Sequence, residues 1–138
     1  MNFSGTGGRV RGAAARPERW AAFADLVAVL VFVSIGLSAH GHRESAANLA
    51  QVSAPFLVGA LVGHILVRLR GAAPASTAAG VVVVVATVAF GQVLRVIFGQ
   101  GTAVSFIAVS LAFNAFVMLG WRLVWSGLRR GALTSRRS

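Results

Sequence analysis

Four long apolar stretches constrain this chain more than any other feature. They run from about Trp20 to Ala39, Val52 to Arg68, Ala78 to Phe98 and Ala103 to Val124. Each is close to the roughly 20 residues that a helix needs to cross a bilayer. Hydrophobic residues make up 57% of the chain and charged residues 12%. A soluble domain carries about 25% charged residues, so the surplus apolar surface needs lipid as its solvent. Lipid offers no partner to a free backbone N–H or C=O, so the spans are expected as unbroken helices. The predicted fold is all-α: a polytopic membrane protein with four transmembrane helices in an antiparallel bundle. One domain, residues 20–125, is expected between two basic tails, residues 1–19 and 126–138. The tails are rich in Gly, Ala, Ser and Arg and read as disordered.

The second span is the least apolar and contains Ser53, Pro55 and His64. Its Pro55 fits a first helical turn, with Ser53 as the cap. The first span has a basic flank, but it is long and no A-x-A site follows it, so it reads as retained rather than cleaved.

The net charge is +10, and every one of the 13 basic residues is arginine. Arg9, Arg11, Arg16, Arg19, Arg68, Arg70, Arg122, Arg129, Arg130, Arg136 and Arg137 fall on one side of the predicted spans, and only Arg43 and Arg95 on the other. The positive-inside rule then places both termini in the cytoplasm. Trp20, Trp121 and Trp125 would share the cytoplasmic interface, where indole rings are favoured. Nucleic acid is not expected as a partner, because the arginines lack aromatic interleaving and match no nucleic-acid motif. The expected location is a bacterial plasma membrane. The chain has no cysteine, which removes disulfides, thiol nucleophiles and zinc-thiolate sites.

Ionisable and amide groups inside the spans are the best functional pointers. Asp25 lies five residues inside Trp20, about 8 Å below the interface at ~1.5 Å per residue. His64 precedes Arg68 by one turn on a span running the other way, so the two share a depth. An Asp25–His64 pair could relay protons or hold a cation; it could equally be a structural bond between helices. At the opposite end, Arg95, Gln92, Ser110 and Asn114 could form a polar seam between the third and fourth spans. Arg95 would anchor an anionic ligand or a lipid head group, or snorkel to the surface. Gln92 and Asn114 could instead be simple interhelical glue. The outer loop reads His40-Gly41-His42-Arg43-Glu44. It lacks a fourth donor and Arg43 would repel a cation, so no metal is expected there; Glu44 reads as a partner for Arg95. Gly59 and Gly63 form GxxxG, which permits close helix approach within or between protomers.

Residues Gly99-Gln100-Gly101-Thr102 do not continue into a Gly-Lys-Ser/Thr and follow a helix, so a phosphate-binding loop is excluded. They read as a tight turn with Thr102 capping the fourth span. No catalytic signature is present, so neither an enzyme nor a cofactor is expected.

Several short pieces together resemble a known family. They are Asp25 with the run to Phe32, Ile35-Gly36 with His40, Pro55-Phe56, Leu94-Arg95 through Phe98-Gly99-Gln100-Gly101-Thr102-Ala103, and Gly120-Trp121-Arg122. In these the chain looks like the small four-helix membrane family catalogued as domain of unknown function 3054, over about residues 23 to 123. Leu37 stands where that family often carries a basic residue. The resemblance implies fold and membrane location and no chemistry. The functional expectation is a small binding or transport module acting as a homo-oligomer. The alternative is a non-catalytic structural or assembly subunit of a larger membrane complex.

Overall fold

A computed structural model describes residues 16–39 and 45–134. It contains four α-helices: α1 (Arg16–Ala39), α2 (Ala46–Leu69), α3 (Thr77–Ile97) and α4 (Val104–Thr134). No strand occurs among the described residues. All four helices are long and apolar enough to cross a membrane. Each packs on its neighbours in chain order, α4 closes back on α1, and across the α2–α4 diagonal Phe56 meets Phe106. The result is an antiparallel four-helix bundle, and the chain is a multi-pass membrane protein.

The helices start and stop for local reasons. Ser45 caps α2 by accepting the Asn48 N–H at 3.1 Å, and Ser76 caps α3 by accepting that of Ala79 at 3.2 Å. At the end of α3, Gly99 and Gly101 both take positive φ, 69° and 66°. The Gly99 N–H donates to the Val96 carbonyl and the Gln100 N–H to that of Arg95. This is a Schellman closure, with glycine where the left-handed conformation is needed.

Three expectations are corrected. Helix α2 begins at Ala46, not Val52, because the segment Ala46–Gln51 is helical although Asn48 and Gln51 interrupt its apolar run. Pro55 therefore sits in the helix interior, and Ser53 donates its hydroxyl to the Leu49 carbonyl at 2.6 Å instead of capping. Helix α4 continues to Thr134, ten residues past Val124, so most of the C-terminal tail is helical. At ~1.5 Å per residue its 31 residues span about 46 Å, more than a bilayer core. Arg129 stacks over Trp125 one turn back, at 5.3 Å, which supports the extension. Finally, Thr102 does not cap α4. Its hydroxyl donates to Gln92, and Ala103, whose carbonyl accepts the first helical bond from Ile107, occupies the cap position.

The tightest seam is α2 on α3. A Cβ on Gly59 would lie 2.7 Å from the Thr87 carbonyl oxygen, and one on Gly63 would lie 2.8 Å from the Val83 Cα. The GxxxG pair thus serves packing inside one chain. Mid-bundle, Phe32 meets Phe56, Phe106 and Phe113 with ring centroids 5.8, 6.0 and 5.4 Å apart. Buried Val29, Ala60, Val83 and Met118 continue the apolar core toward the end that holds the tryptophans. Trp20 packs against Trp121 and Trp125 at 4.8 and 5.1 Å.

Candidate functional site

The bonded buried polar side chains form two groups, one at the tryptophan end and one between α3 and α4. At the tryptophan end, Asp25 of α1 is fully buried. Its Oδ2 accepts from His64 Nε2 at 2.9 Å and from Arg122 Nη2 at 2.6 Å. Its Oδ1 accepts from Arg122 Nη1 and Trp121 Nε1, both at 2.9 Å. The expected Asp25–His64 pair is present; because a carboxylate only accepts here, the His64 proton sits on Nε2.

Arg122, one of the arginines on the predicted cytoplasmic side, has a side chain with no solvent exposure. Its Nε donates to the Pro74 carbonyl at 3.1 Å and its Nη1 also to that of Met118 at 2.8 Å. The guanidinium lies 4.2 Å from the Trp121 ring. Gly80 makes room for it, since a Cβ there would come within 2.7 Å of Arg122 Cδ. Four donors use the roughly four lone-pair sites of the Asp25 carboxylate. The cluster ties α1, α2, α4 and the α2–α3 loop together and leaves Asp25 no acceptor for a cation. The signal that could have found Arg122 is the need for a counter-charge: an acid one turn inside a span requires a cation at the same depth.

The opposite end is organised differently. Gln92 Nε2 donates to Ser110 Oγ at 3.0 Å, and Asn114 Nδ2 to the Ser110 carbonyl at 2.8 Å. Of the predicted α3–α4 seam, the Gln92–Ser110 bond crosses between the helices, whereas the Asn114 bond stays within α4. Asn114 Oδ1 is buried without a partner. No hydrogen bond joins Arg95 to Gln92. Arg95 turns instead toward the α3–α4 turn, where its Nη1 donates to Gln100 Oε1 at 3.0 Å. Its guanidinium lies 4.6 Å from the Phe106 ring. Gln100 in turn donates through Nε2 to the Gln51 carbonyl at 3.1 Å. That carbonyl is free because Pro55, four residues on, has no N–H to give it. The interior proline, the freed carbonyl, Gln100 and Arg95 form one chain of cause.

Arg95 and Gln100 line a cavity of about 560 Å³ whose other walls include Phe32, Val33, Leu37 and Phe106. Its size falls within the ~300–1,000 Å³ of small-molecule sites. Arg95 Nε is buried with no hydrogen-bond partner. Among the described residues no carboxylate approaches this guanidinium; both ion pairs involve Asp25. His40 and Glu44, and with them the predicted Arg95–Glu44 contact, lie outside the described residues. Among the described residues no three His, Cys, Asp or Glu side chains converge as a metal site.

Fold and polar ends define a class: a compact multi-pass membrane protein with a saturated ionic tie at one end and an arginine-lined cavity at the other. The family described as protein of unknown function DUF3054 matches residues 22–125, and the chain belongs to it. The match takes in Asp25, His64, Gln92, Arg95, Gln100, Asn114 and Arg122. No curated protein and no solved structure matches the chain.

Proposed function

We propose that this protein is a small membrane-embedded binding module whose site is the Arg95 cavity and whose ligand carries an anionic group. The observation that carries the reading is Arg95 itself. A guanidinium with a buried, unpartnered Nε lines a largely apolar cavity. An unsatisfied buried donor costs about 1–3 kcal/mol, more for a charged group, and an anion in the cavity would satisfy it. The first turn of α4 adds to the same field. Its amides have no side-chain cap at Ala103, and a helix N-terminus favours negative charge.

Binding is favoured over transport. The Asp25 carboxylate, with four donors already on it, has no acceptor left for a passing cation, and fully buried Met118 separates Asn114 from Arg122 along α4. The cavity is built by one chain, so this reading does not require the homo-oligomer that four short helices suggested. It makes the protein a binder rather than an enzyme or an assembly subunit. The arginine distribution supports a plasma-membrane protein with both termini cytoplasmic, which puts the Arg95 cavity at the outer leaflet.

The test uses purified protein in a neutral detergent. Decyl phosphate should raise the unfolding midpoint, and decyl maltoside at the same concentration should not. At a hundredfold excess over Kd the stabilisation is about 2.7 kcal/mol. Arg95→Gln should lose the decyl phosphate effect while keeping the ligand-free midpoint. Equal stabilisation of both proteins would overturn the proposal.

A further inference from the structure

The cavity is asymmetric, and its asymmetry specifies a ligand class. Its polar groups, Arg95, Gln100 and Thr102, sit together at the α3–α4 turn. Away from that end the walls are Phe32, Val33, Leu37, Val52 and Val109. An inorganic anion occupies a few times the ~30 Å³ of a water molecule, and would leave most of the roughly 560 Å³ as unfilled space between apolar walls. A ligand with a charged head and a hydrocarbon tail fills both parts.

The position of the cavity says where such a ligand comes from. The walls on its flank belong to α1 and α4, the neighbouring pair with the thinnest contact in the bundle. Val109 lines the cavity and is 58% exposed on the outer apolar surface. Gly36 lines it from α1, and a Cβ built there meets nothing within 4 Å. The Gln100 bridge from Arg95 to the Gln51 carbonyl crosses the turn end. We infer that the Arg95 cavity is a lateral site for one anionic phospholipid, entered from the bilayer between α1 and α4. The phosphate meets Arg95 and the first-turn amides of α4, and an acyl chain lies along Phe32, Val33 and Val109.

This inference rests on the binding reading above, and one experiment separates their failures. The full chain is reconstituted in nanodiscs of equal phosphatidylglycerol and phosphatidylcholine, then released into neutral detergent, and retained lipid is quantified by native mass spectrometry. Wild type should hold about one phosphatidylglycerol, enriched at least fivefold over phosphatidylcholine. Arg95→Gln should lose the enrichment. Gly36→Leu should lose the lipid too, because leucine fills the cavity. It should do so with a raised ligand-free unfolding midpoint, since leucine is the better helix former. That pairing of higher stability with lost lipid is not what a merely structural position would give. Undiminished enrichment in Arg95→Gln, or retained lipid in a folded Gly36→Leu, overturns the lipid assignment. If wild type keeps no phospholipid but decyl phosphate still stabilises it through Arg95, the lipid inference fails and the binding reading stands. If neither probe acts through Arg95, both fail.

Discussion

Asp25 and Arg95 are both charged residues inside membrane spans, and their surroundings treat them in opposite ways. Asp25 accepts four hydrogen bonds, and its charge is matched by Arg122 in a two-pronged contact. Such a pair adds little net stability over an apolar replacement, but removing one partner strands the other. Asp25→Asn or Arg122→Gln should therefore each destabilise the protein by about 3–5 kcal/mol. The double replacement Asp25→Leu with Arg122→Met should recover at least half of that loss, read from unfolding midpoints in detergent. A double variant as unstable as the sum of the singles would show that the tie is more than a matched charge pair. Arg95 has no such match among the described residues, which is why the functional weight falls on it. The acid and the histidine were legible one by one, from their depth in the spans. Arg122 was not, because charge near a span end reads as a topology signal until the packing shows it turned inward.

At the scale of the element, α2 is the helix that sets up the site. Pro55 in its interior strips the Gln51 carbonyl of its helical partner. In a membrane such freed groups must be satisfied by neighbouring side chains, and Gln100 does this here. Pro55→Ala should return the Gln51 carbonyl to the helix and release Gln100. The expected outcome is an unchanged or higher unfolding midpoint with weaker decyl phosphate binding; unchanged binding would break the link between proline and site. The other face of α2 is set by glycine. Gly59→Ala or Gly63→Ala should force α2 and α3 apart, because the added methyl would meet backbone under 3 Å away. Overpacking of this kind costs about 1–3 kcal/mol. Gly120→Ala and Gly127→Ala on α4, where a Cβ meets nothing within 4 Å, should instead be neutral or stabilising by up to about 1 kcal/mol. Unfolding midpoints of the four variants check both directions. The apolar run did not mark where α2 begins, because Asn48 and Gln51 interrupt it within the first six helical residues. A hydropathy reading sees the membrane, not the helix.

For the whole molecule, the two ends divide the work. The tryptophan end is closed by aromatic packing and the Asp25 tie, so α1 and α4 are held there. The Arg95 end lacks an equivalent tie between α1 and α4 among the described residues, and the cavity lies in that gap. If both termini are cytoplasmic, reporter fusions at Gly101 should read as external and fusions at Ala73 as internal; the reverse pattern would invert the bundle and move the cavity to the inner leaflet. The number of spans, the antiparallel order and the depth of each polar residue follow from the sequence alone. Apolar run length and arginine placement are properties of single segments in contact with lipid and water. Which polar groups meet is a different matter. Asp25 reaches Arg122 across 97 positions and Gln100 reaches the Gln51 carbonyl across 49. Those pairings depend on how each helix is rotated about its axis. Rotation is decided by small-residue packing and by the demand that every buried donor and acceptor find a partner. Only the assembled bundle fixes it, and so only the tertiary structure turned one arginine into a structural tie and set the other against a cavity.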